Sequence, residues 1–514
     1  MHLNGKIEPF ILLLLLLAFS CEATSQKQPH VVLIVADDLG WNDVSFHGSP
    51  QILTPNLDDL ALNGVILFNY YVLPICTPTR SALLTGKYAI HTGMQHNTIG
   101  ASEPYGVPLN FTFLPQKLQQ LGYRTHAVGK WHLGFFKEDY IPVRRGFESF
   151  YGYYAGKGDY FTHMTDHENF WGFDFHQNGS VFKPVFGQYS TEIFTEKAGE
   201  IIKNHNPDEP LFMYVAHQAV HSANEDDFLE APQKYIDRFP NISFMKRRKF
   251  AGMVAALDDS VGNITRYLKE AGLYNDTIII FTTDNGGPAH GFDGNYANNF
   301  PLRGTKHTLW EGGVRGTSFV HSRLLNKTSR ISDRLLHVCD WFPTILKLAG
   351  GNLSDVDTDG FDVWDTVSND EPSPRREILL NIDPVDNYGA LRSGDYKVIT
   401  GQVYDGHWSG WYPPEGEDQE IKSINQLPGA SVVSCPPIPA NASSNCQPAK
   451  SPCLFHIKND PCEFYNLADT YPDILSQLME RLQFYNSTMV PPGKKKSDPN
   501  ANPKLHGGNW VPWM

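Results

Sequence analysis

The chain has 514 residues, of which 41% are hydrophobic, 12% aromatic and 19% charged, and its formal net charge is −14. A chain of this length accommodates roughly two to four domains, or one large α/β domain with a smaller companion. The acidic balance excludes a general nucleic-acid binder, which needs a basic footprint, but leaves room for a local cationic pocket.

In chain order, residues 1–24 read as a secretory signal. Lys6 precedes an apolar run from Phe10 to Phe19, and small residues come next at 20–25. The apolar core is about ten residues, short of the ~20 that span a bilayer. A retained signal anchor is the alternative reading. The signal predicts a lysosomal or secreted protein without stable membrane insertion. Nine Asn-x-Ser/Thr sequons (Asn110, Asn178, Asn241, Asn263, Asn275, Asn326, Asn352, Asn441 and Asn486) predict glycosylated surface loops.

His30–Ala36 is a β-branched apolar run expected to form a strand buried on both faces, and similar runs recur at Arg124–Val128, Leu211–Ala216 and Thr277–Thr282. Helical patterns lie between them at Leu114–Leu121, Thr191–Lys203 and Met245–Glu270. The alternation predicts an α/β fold, a largely parallel sheet flanked by helices. The pattern weakens after Gly350. Val367–Arg375 is rich in Ser, Pro and charge, Ala390–Thr400 reads as a strand of a smaller C-terminal unit, and Pro491–Pro503 reads as an extended, poorly ordered tail. The expected division is 25–384 and 385–514. Lys246–Lys249 and Lys494–Lys496 read as solvated surface charge, with contact to an anionic polymer as the alternative.

Ligands of open α/β sheets bind beyond the carboxyl ends of the strands. The residues just past each apolar run are therefore the candidate chemistry: Asp37 and Asp38; Lys130 and His132; His217; Asp284 and Asn285. The oxygen donors among them suit a hard cation such as Ca²⁺ or Mg²⁺ better than zinc. The alternative is that each Asp or Asn pair caps a turn. In Cys76-Thr-Pro-Thr-Arg80, Thr77 is expected to cap a helix that begins at Pro78 and ends at Gly86. Cys76 then sits where orphan N–H groups favour an anion or activate a nucleophile, with Arg80 one turn on. A disulfide is the competing role for that cysteine.

Cys76-Thr-Pro-Thr-Arg80 with Leu84-Thr-Gly-Lys87 resembles the sulfatase signature. Ala36-Asp-Asp-Leu-Gly40, Gly129-Lys-Trp-His-Leu-Gly134, Thr283-Asp-Asn-Gly-Gly287 and Pro301-Leu-Arg-Gly-Thr-Lys306 accompany it in order. Leu309-Trp-Glu-Gly-Gly-Val-Arg315 and Pro512-Trp-Met514 are similar to the arylsulfatase B, or N-acetylgalactosamine-4-sulfatase, type. Thr79 stands where Ser is commoner.

The resemblance implies an alkaline-phosphatase-like large mixed sheet with a smaller C-terminal α+β domain containing an antiparallel sheet. It implies that a formylglycine-generating enzyme oxidises Cys76 to Cα-formylglycine, whose hydrate attacks a sulfate ester and then eliminates sulfate. It further implies one Ca²⁺ held by Asp37, Asp38, Asp284, Asn285 and the Cys76 position. Asp284 acts as base, and Arg80 anchors the formylglycine. Lys130, His217 and Lys306 hold the sulfate, His217 or Lys306 protonates the leaving oxygen, and His132 assists elimination. A zinc phosphatase with a Ser or Thr nucleophile and a non-catalytic binding protein on the same scaffold are the competing readings. A sulfated polysaccharide end and a small aryl or plant-derived sulfate ester are both open as substrates, with residues 152–175 as the specificity loop.

Seven cysteines divide as Cys21 beside the signal, Cys76, a free core thiol at Cys339 in a helical Leu335–Leu348 segment, and four (Cys435, Cys446, Cys453 and Cys462) available for two disulfides of open connectivity.

Overall fold

Strand β1 (His30–Ala36) sends Val31, Leu33 and Val35 into one hydrophobic core and Val32, Ile34 and Ala36 into another. This alternation is why an uninterrupted apolar run is needed: both faces are covered. The computed structural model describes residues 27–224, 228–415 and 427–514, so the expected signal at 1–24 lies outside the described residues. Among the described residues no helix is long and apolar enough to cross a membrane.

β1 lies in a ten-stranded sheet whose order is β12 (Arg330–His337), β2 (Val65–Tyr71), β11 (Ser318–Ser322), β10 (Thr277–Thr283), β1, β9 (Leu211–Ala216), β3 (Arg124–Lys130), β4 (Ser149–Tyr153), β7 (His176–Gln177) and β8 (Ser180–Val181). The run β10–β1–β9–β3–β4 is parallel, as is the β12–β2 pair, while β11, β7 and β8 are antiparallel to their neighbours. Register aligns Ala36 with Thr283, Val35 with Ala216 and Ala216 with Gly129, so four carboxyl ends finish level and present their next residues together. Helices Ser190–Asn204 and Met245–Glu270 pack on one face, and Cys76–Thr85 and Trp341–Leu348 on the other. The expected helices at 114–121, 191–203 and 245–270 are all present within a residue of their ends. This is the mixed, mostly parallel, helix-flanked sheet that the sequence predicts.

A smaller antiparallel sheet comes next: β13 (Glu377–Asp383), β14 (Tyr388–Ser393), β15 (Tyr396–Thr400) and β16 (Cys453–His456), covered by helix Pro472–Thr488. One expectation changes here. The single strand at 390–400 is a hairpin that turns through Gly394, whose φ of 55° suits glycine. The second sheet begins at Glu377, where β13 pairs with β14. Cys435–Cys462 and Cys446–Cys453 form the two disulfides, and Cys339 is a buried free thiol, in a short turn ahead of helix Trp341–Leu348 rather than within it. Eight of the nine sequon asparagines are exposed and Asn263 is half-buried.

The tail departs from the expected disorder. The backbone N–H groups of Val490, Gly493 and Asp498 donate to the carbonyls of Ile90, Gly93 and Ser102, and Trp510 Nε1 donates to the Thr165 carbonyl. The tail thereby straps residues 90–102 to the 152–175 loop, which itself contains a hairpin of β5 (Met164–His167) and β6 (Phe170–Phe173). In the Lys246–Lys249 run, Arg247 is buried and bonds Asp43 and Gln51 rather than solvent.

Candidate active site

Asp37 and Asp38 come directly after β1, Lys130 ends β3, and Asp284 and Asn285 come directly after β10, so the level strand ends gather them without long loops. Asp37 Oδ2 accepts from Lys130 Nζ at 2.6 Å, and Arg80 Nη2 lies 3.5 Å from it. Arg80 donates to Asp284 Oδ2 through Nε at 3.0 Å and Nη2 at 2.8 Å. Asp38 Oδ1 accepts from Asn285 Nδ2 at 2.7 Å, and Oδ2 accepts from Lys306 Nζ at 2.9 Å.

Helix Cys76–Thr85 begins at Cys76 itself, ahead of the expected start at Pro78, and every residue in it is buried. Thr77 is therefore not its cap. Its hydroxyl instead donates to the His132 carbonyl at 3.1 Å and accepts from Ile99 N at 3.3 Å, which ties the helix start to the β3 loop. Gly86 closes the helix in the left-handed region, as its sequence position predicts. Cys76 Sγ lies 3.6 Å from Asp37 Oδ1. Burial pushes the Cys76 thiol well above its ordinary range despite Lys130 and Lys306, so the helix N-terminus does not make it a thiolate.

Lys306 reaches the site because two loops approach closely. A Cβ on Gly286 would overlap the Gly312 carbonyl, and Asn299 clamps Gly287 through both its N–H and its carbonyl. The Lys306 ammonium then meets Asp38, Asp293 Oδ2 at 3.0 Å and His221 Nε2 at 3.2 Å. Burial opposes its charge, but Asp293 and Asp38 outweigh that and hold its pKa well above the usual range. His132 Nε2–H donates to the Ile99 carbonyl at 3.1 Å, leaving Nδ1 buried and without a partner. Burial, then Lys130 and Arg80, keep that imidazole neutral.

The structure does not bring His217 into this group. His217 shares strand parity with Leu211, Met213 and Val215, so its ring turns toward helix Met245–Glu270, where Nε2 meets Ser260 Oγ at 3.0 Å. The histidine at the site is His221. After β9 the chain crosses the end of β1, with Asp37 N donating to the Ala219 carbonyl and Val220 N to the Asp37 carbonyl, and this crossing sets His221 Nε2 3.5 Å from Asp38 Oδ2. Neither His221 nor Asp293 carries a periodic cue, because both sit in loops whose course is fixed by contacts distant in sequence.

Ligand atoms of Asp37, Asp38, Cys76 and His221 lie within 4.8 Å of one another, a spacing that could hold a metal ion. Asn285 Oδ1, fully buried beside Asp38, has no hydrogen-bond partner. An orphaned buried oxygen next to carboxylates is what a hard divalent cation would satisfy. Above the group lies a cavity of about 310 Å³, into which Cys76, His132, His221 and Lys306 all face.

The sulfatase family profile matches residues 29–351. The chain belongs to the sulfatase family. This sulfatase is 42% identical to Arylsulfatase J of Mus musculus over 95% of its own length and 80% of that protein's. It is 28% identical to N-acetylgalactosamine-6-sulfatase of Mus musculus, covering 93% of this chain and 90% of that one. Among solved structures, Ps i-CgsB in complex with k-i-k-neocarrahexaose superposes with a TM-score of 0.75 at 27% identity, covering 93% and 98% of the two chains. The fold is thus the alkaline-phosphatase-like architecture expected for the family, and sulfated compounds are its substrates.

Proposed function

We propose that this sulfatase hydrolyses a sulfate ester on a sugar, of the N-acetylgalactosamine 4-sulfate type found in glycosaminoglycans, using Cα-formylglycine derived from Cys76 and one Ca²⁺. The observation that carries the reading is the position of Cys76: first residue of a buried helix, facing the cavity, beside Asp37 and among Lys130, Lys306 and His221. A neutral thiol there is a poor nucleophile, whereas the hydrated aldehyde would supply a hydroxyl to attack sulfur.

Asp37, Asp38, Asp284 and Asn285 would hold the cation, which when bound polarises a sulfate oxygen. Lys130, Lys306 and His221 bind the remaining sulfate oxygens and oppose the charge that grows on them in the transition state. Both lysines are already held by Asp37 and Asp38, so little reorganisation is needed. Asp284, which Arg80 and Lys130 keep ionised against the effect of burial, accepts the proton of the attacking hydroxyl. Lys306 or His221 protonates the departing alcohol. His132 Nδ1, neutral and unpartnered, takes the proton that releases sulfate. Arg80 orients Asp284 and thereby the nucleophile beside it.

The half-exposed Phe292 ring in the cavity favours a second reading, in which small aryl or plant-derived sulfate esters are substrates. Both readings place the protein in the secretory pathway, lysosomal or secreted, where a formylglycine-generating enzyme is its biosynthetic partner. Mass spectrometry of the tryptic peptide bearing residue 76, from protein made in that pathway, is expected to show the aldehyde; cysteine throughout would overturn the mechanism. Sulfate release from N-acetylgalactosamine 4-sulfate, its 6-sulfate isomer and an aryl sulfate, at acidic and neutral pH, separates the substrates. Turnover of the aryl ester alone would refute the sugar assignment.

A further inference from the structure

The cavity above Cys76 is lined by three lysines, and their counter-charges are placed differently. Lys306 pairs with Asp293, and Lys157 pairs with Asp166 at 3.3 Å; both carboxylates line the cavity beside their lysines. Lys494 also lines it, but its partner does not. Its ammonium bonds Glu103 Oε1 at 2.9 Å and the Thr98 carbonyl at 3.1 Å, and Glu103, itself buried, is not part of the cavity wall. Glu103 is fixed in turn by the Gly100 N–H at 2.7 Å.

An ammonium has three donors. The Glu103 carboxylate engages this one from outside the wall, through Oε1 at 2.9 Å and Oε2 at 3.2 Å, the carbonyl of the wall residue Thr98 accepts from it as well, and the lysine side chain remains 30% exposed. The backbone around it is equally constrained, since Gly493 N donates to the Gly93 carbonyl at 2.7 Å and Asp498 N to the Ser102 carbonyl at 2.8 Å. Holding a lysine this way removes much of the rotamer entropy that a substrate would otherwise have to freeze. The carboxylates of the cavity wall are Asp166, Asp293 and Glu168; the first two pair with Lys157 and Lys306, and the ion pair of Lys494 is to Glu103 outside the wall.

We infer that Lys494 is a specificity-determining residue that binds a second anionic group, sulfate or carboxylate, on the same substrate whose sulfate ester is cleaved at residue 76. The inference rests on the sulfatase reading above and adds a substrate class to it: sulfate esters that bear a second negative charge. The strap formed by the C-terminal tail is then part of the substrate site, because it carries Lys494 to the cavity wall.

The test compares kcat/KM on four substrates. p-Nitrophenyl sulfate and N-acetylgalactosamine 4-sulfate carry one charge; N-acetylgalactosamine 4,6-disulfate adds a sulfate; a uronate-linked disaccharide of the 4-sulfate adds a carboxylate. For Lys494→Ala, the ratio of kcat/KM on either doubly charged ester to that on the singly charged ones is expected to fall about tenfold, through KM, and Lys494→Arg to restore it. The two doubly charged arms report which anion is read. Lys495→Ala, on the exposed neighbouring lysine, is expected to keep the wild-type ratio. An unchanged ratio in Lys494→Ala, or an equal fall in Lys495→Ala, overturns the inference while leaving the sulfatase reading intact. A wild-type protein that cleaves none of the four esters overturns both.

Discussion

Arg80 holds Asp284 with two nitrogens on one carboxylate oxygen, Nε at 3.0 Å and Nη2 at 2.8 Å, and both side chains are fully buried. Such a pair adds little when complete but costs about 3–5 kcal/mol when one member is removed, because a buried charge is left alone. Arg80→Ala is therefore expected to lower thermal stability markedly and to abolish measurable turnover. Arg80→Lys keeps the charge but not the fork, so it should recover much of the stability and little of the activity. Thermal melts beside kcat measurements check this; full activity in Arg80→Lys would show that orientation of Asp284 is unimportant.

His221 and His217 give opposite expectations. His221→Ala removes a cavity-facing ring beside Lys306 and should reduce kcat/KM by at least ~100-fold, the usual scale for one acid–base or charge-stabilising group, with a small change in Tm. His217→Ala strips a buried ring from the Ser260 hydroxyl and should cost about 1–3 kcal/mol of stability, with kcat largely kept. Chemical denaturation and steady-state assays of the two variants decide it. Loss of kcat in a stable His217→Ala protein would restore that residue to the site.

Metal removal is expected to destabilise the protein as well as inactivate it. Asp37, Asp38 and Asp284 lie together, and Asn285 Oδ1 has no other partner. A ligand present at about 100 times its Kd stabilises the folded state by ~2.7 kcal/mol. Dialysis against a chelator should thus lower Tm by several degrees, with Ca²⁺ restoring it better than Mg²⁺, whose stricter octahedral shell suits this crowded cluster less. A Tm indifferent to chelation would count against the metal.

Glu463, buried against Lys397 and Glu311, makes stability depend on pH. Burial pushes its pKa up to about 7, with Lys397 opposing and Glu311 reinforcing the shift, against 4.5 unperturbed. Between those values the folded state holds more protons than the unfolded one, so this group's stabilising contribution is complete below 4.5 and is lost as pH rises through 7. Glu463→Gln keeps the acceptor for the Glu311 N–H without the charge. Its Tm relative to wild type should climb as pH rises across that window and level off above it. A flat difference would mean that Glu463 stays ionised throughout. The background slope runs the other way, because burial lowers His30, His163 and His217 to about 4, and these lose stability as pH falls toward that value.

Much of the site was legible in the chain itself. Four apolar runs lead into Asp37-Asp38, Lys130, His217 and Asp284-Asn285, and the structure brings all of these together except His217. The rule that ligands gather at strand ends failed at His217 because that rule knows only that a residue comes after a strand, while side-chain parity decides which face it serves. Parity turned His217 to the helices, and His221, four residues on, arrived by a loop crossing that no local pattern encodes. Lys306 needed the approach of Gly286 to Gly312, and Lys494 needed a tail laid along residues 90–102.

The sequence by itself therefore determined whatever depends on local periodicity and on motif: the buried parallel strands, the long helices, the helix carrying Cys76 and the family to which the chain belongs. The tertiary structure alone decided which histidine faces Asp38, how Cys435, Cys446, Cys453 and Cys462 pair, and that the tail brings Lys494 to the cavity above Cys76. Those outcomes rest largely on contacts between segments tens to hundreds of residues apart. Each is fixed by burial and hydrogen bonding after the strands have met, and none leaves a period in the chain.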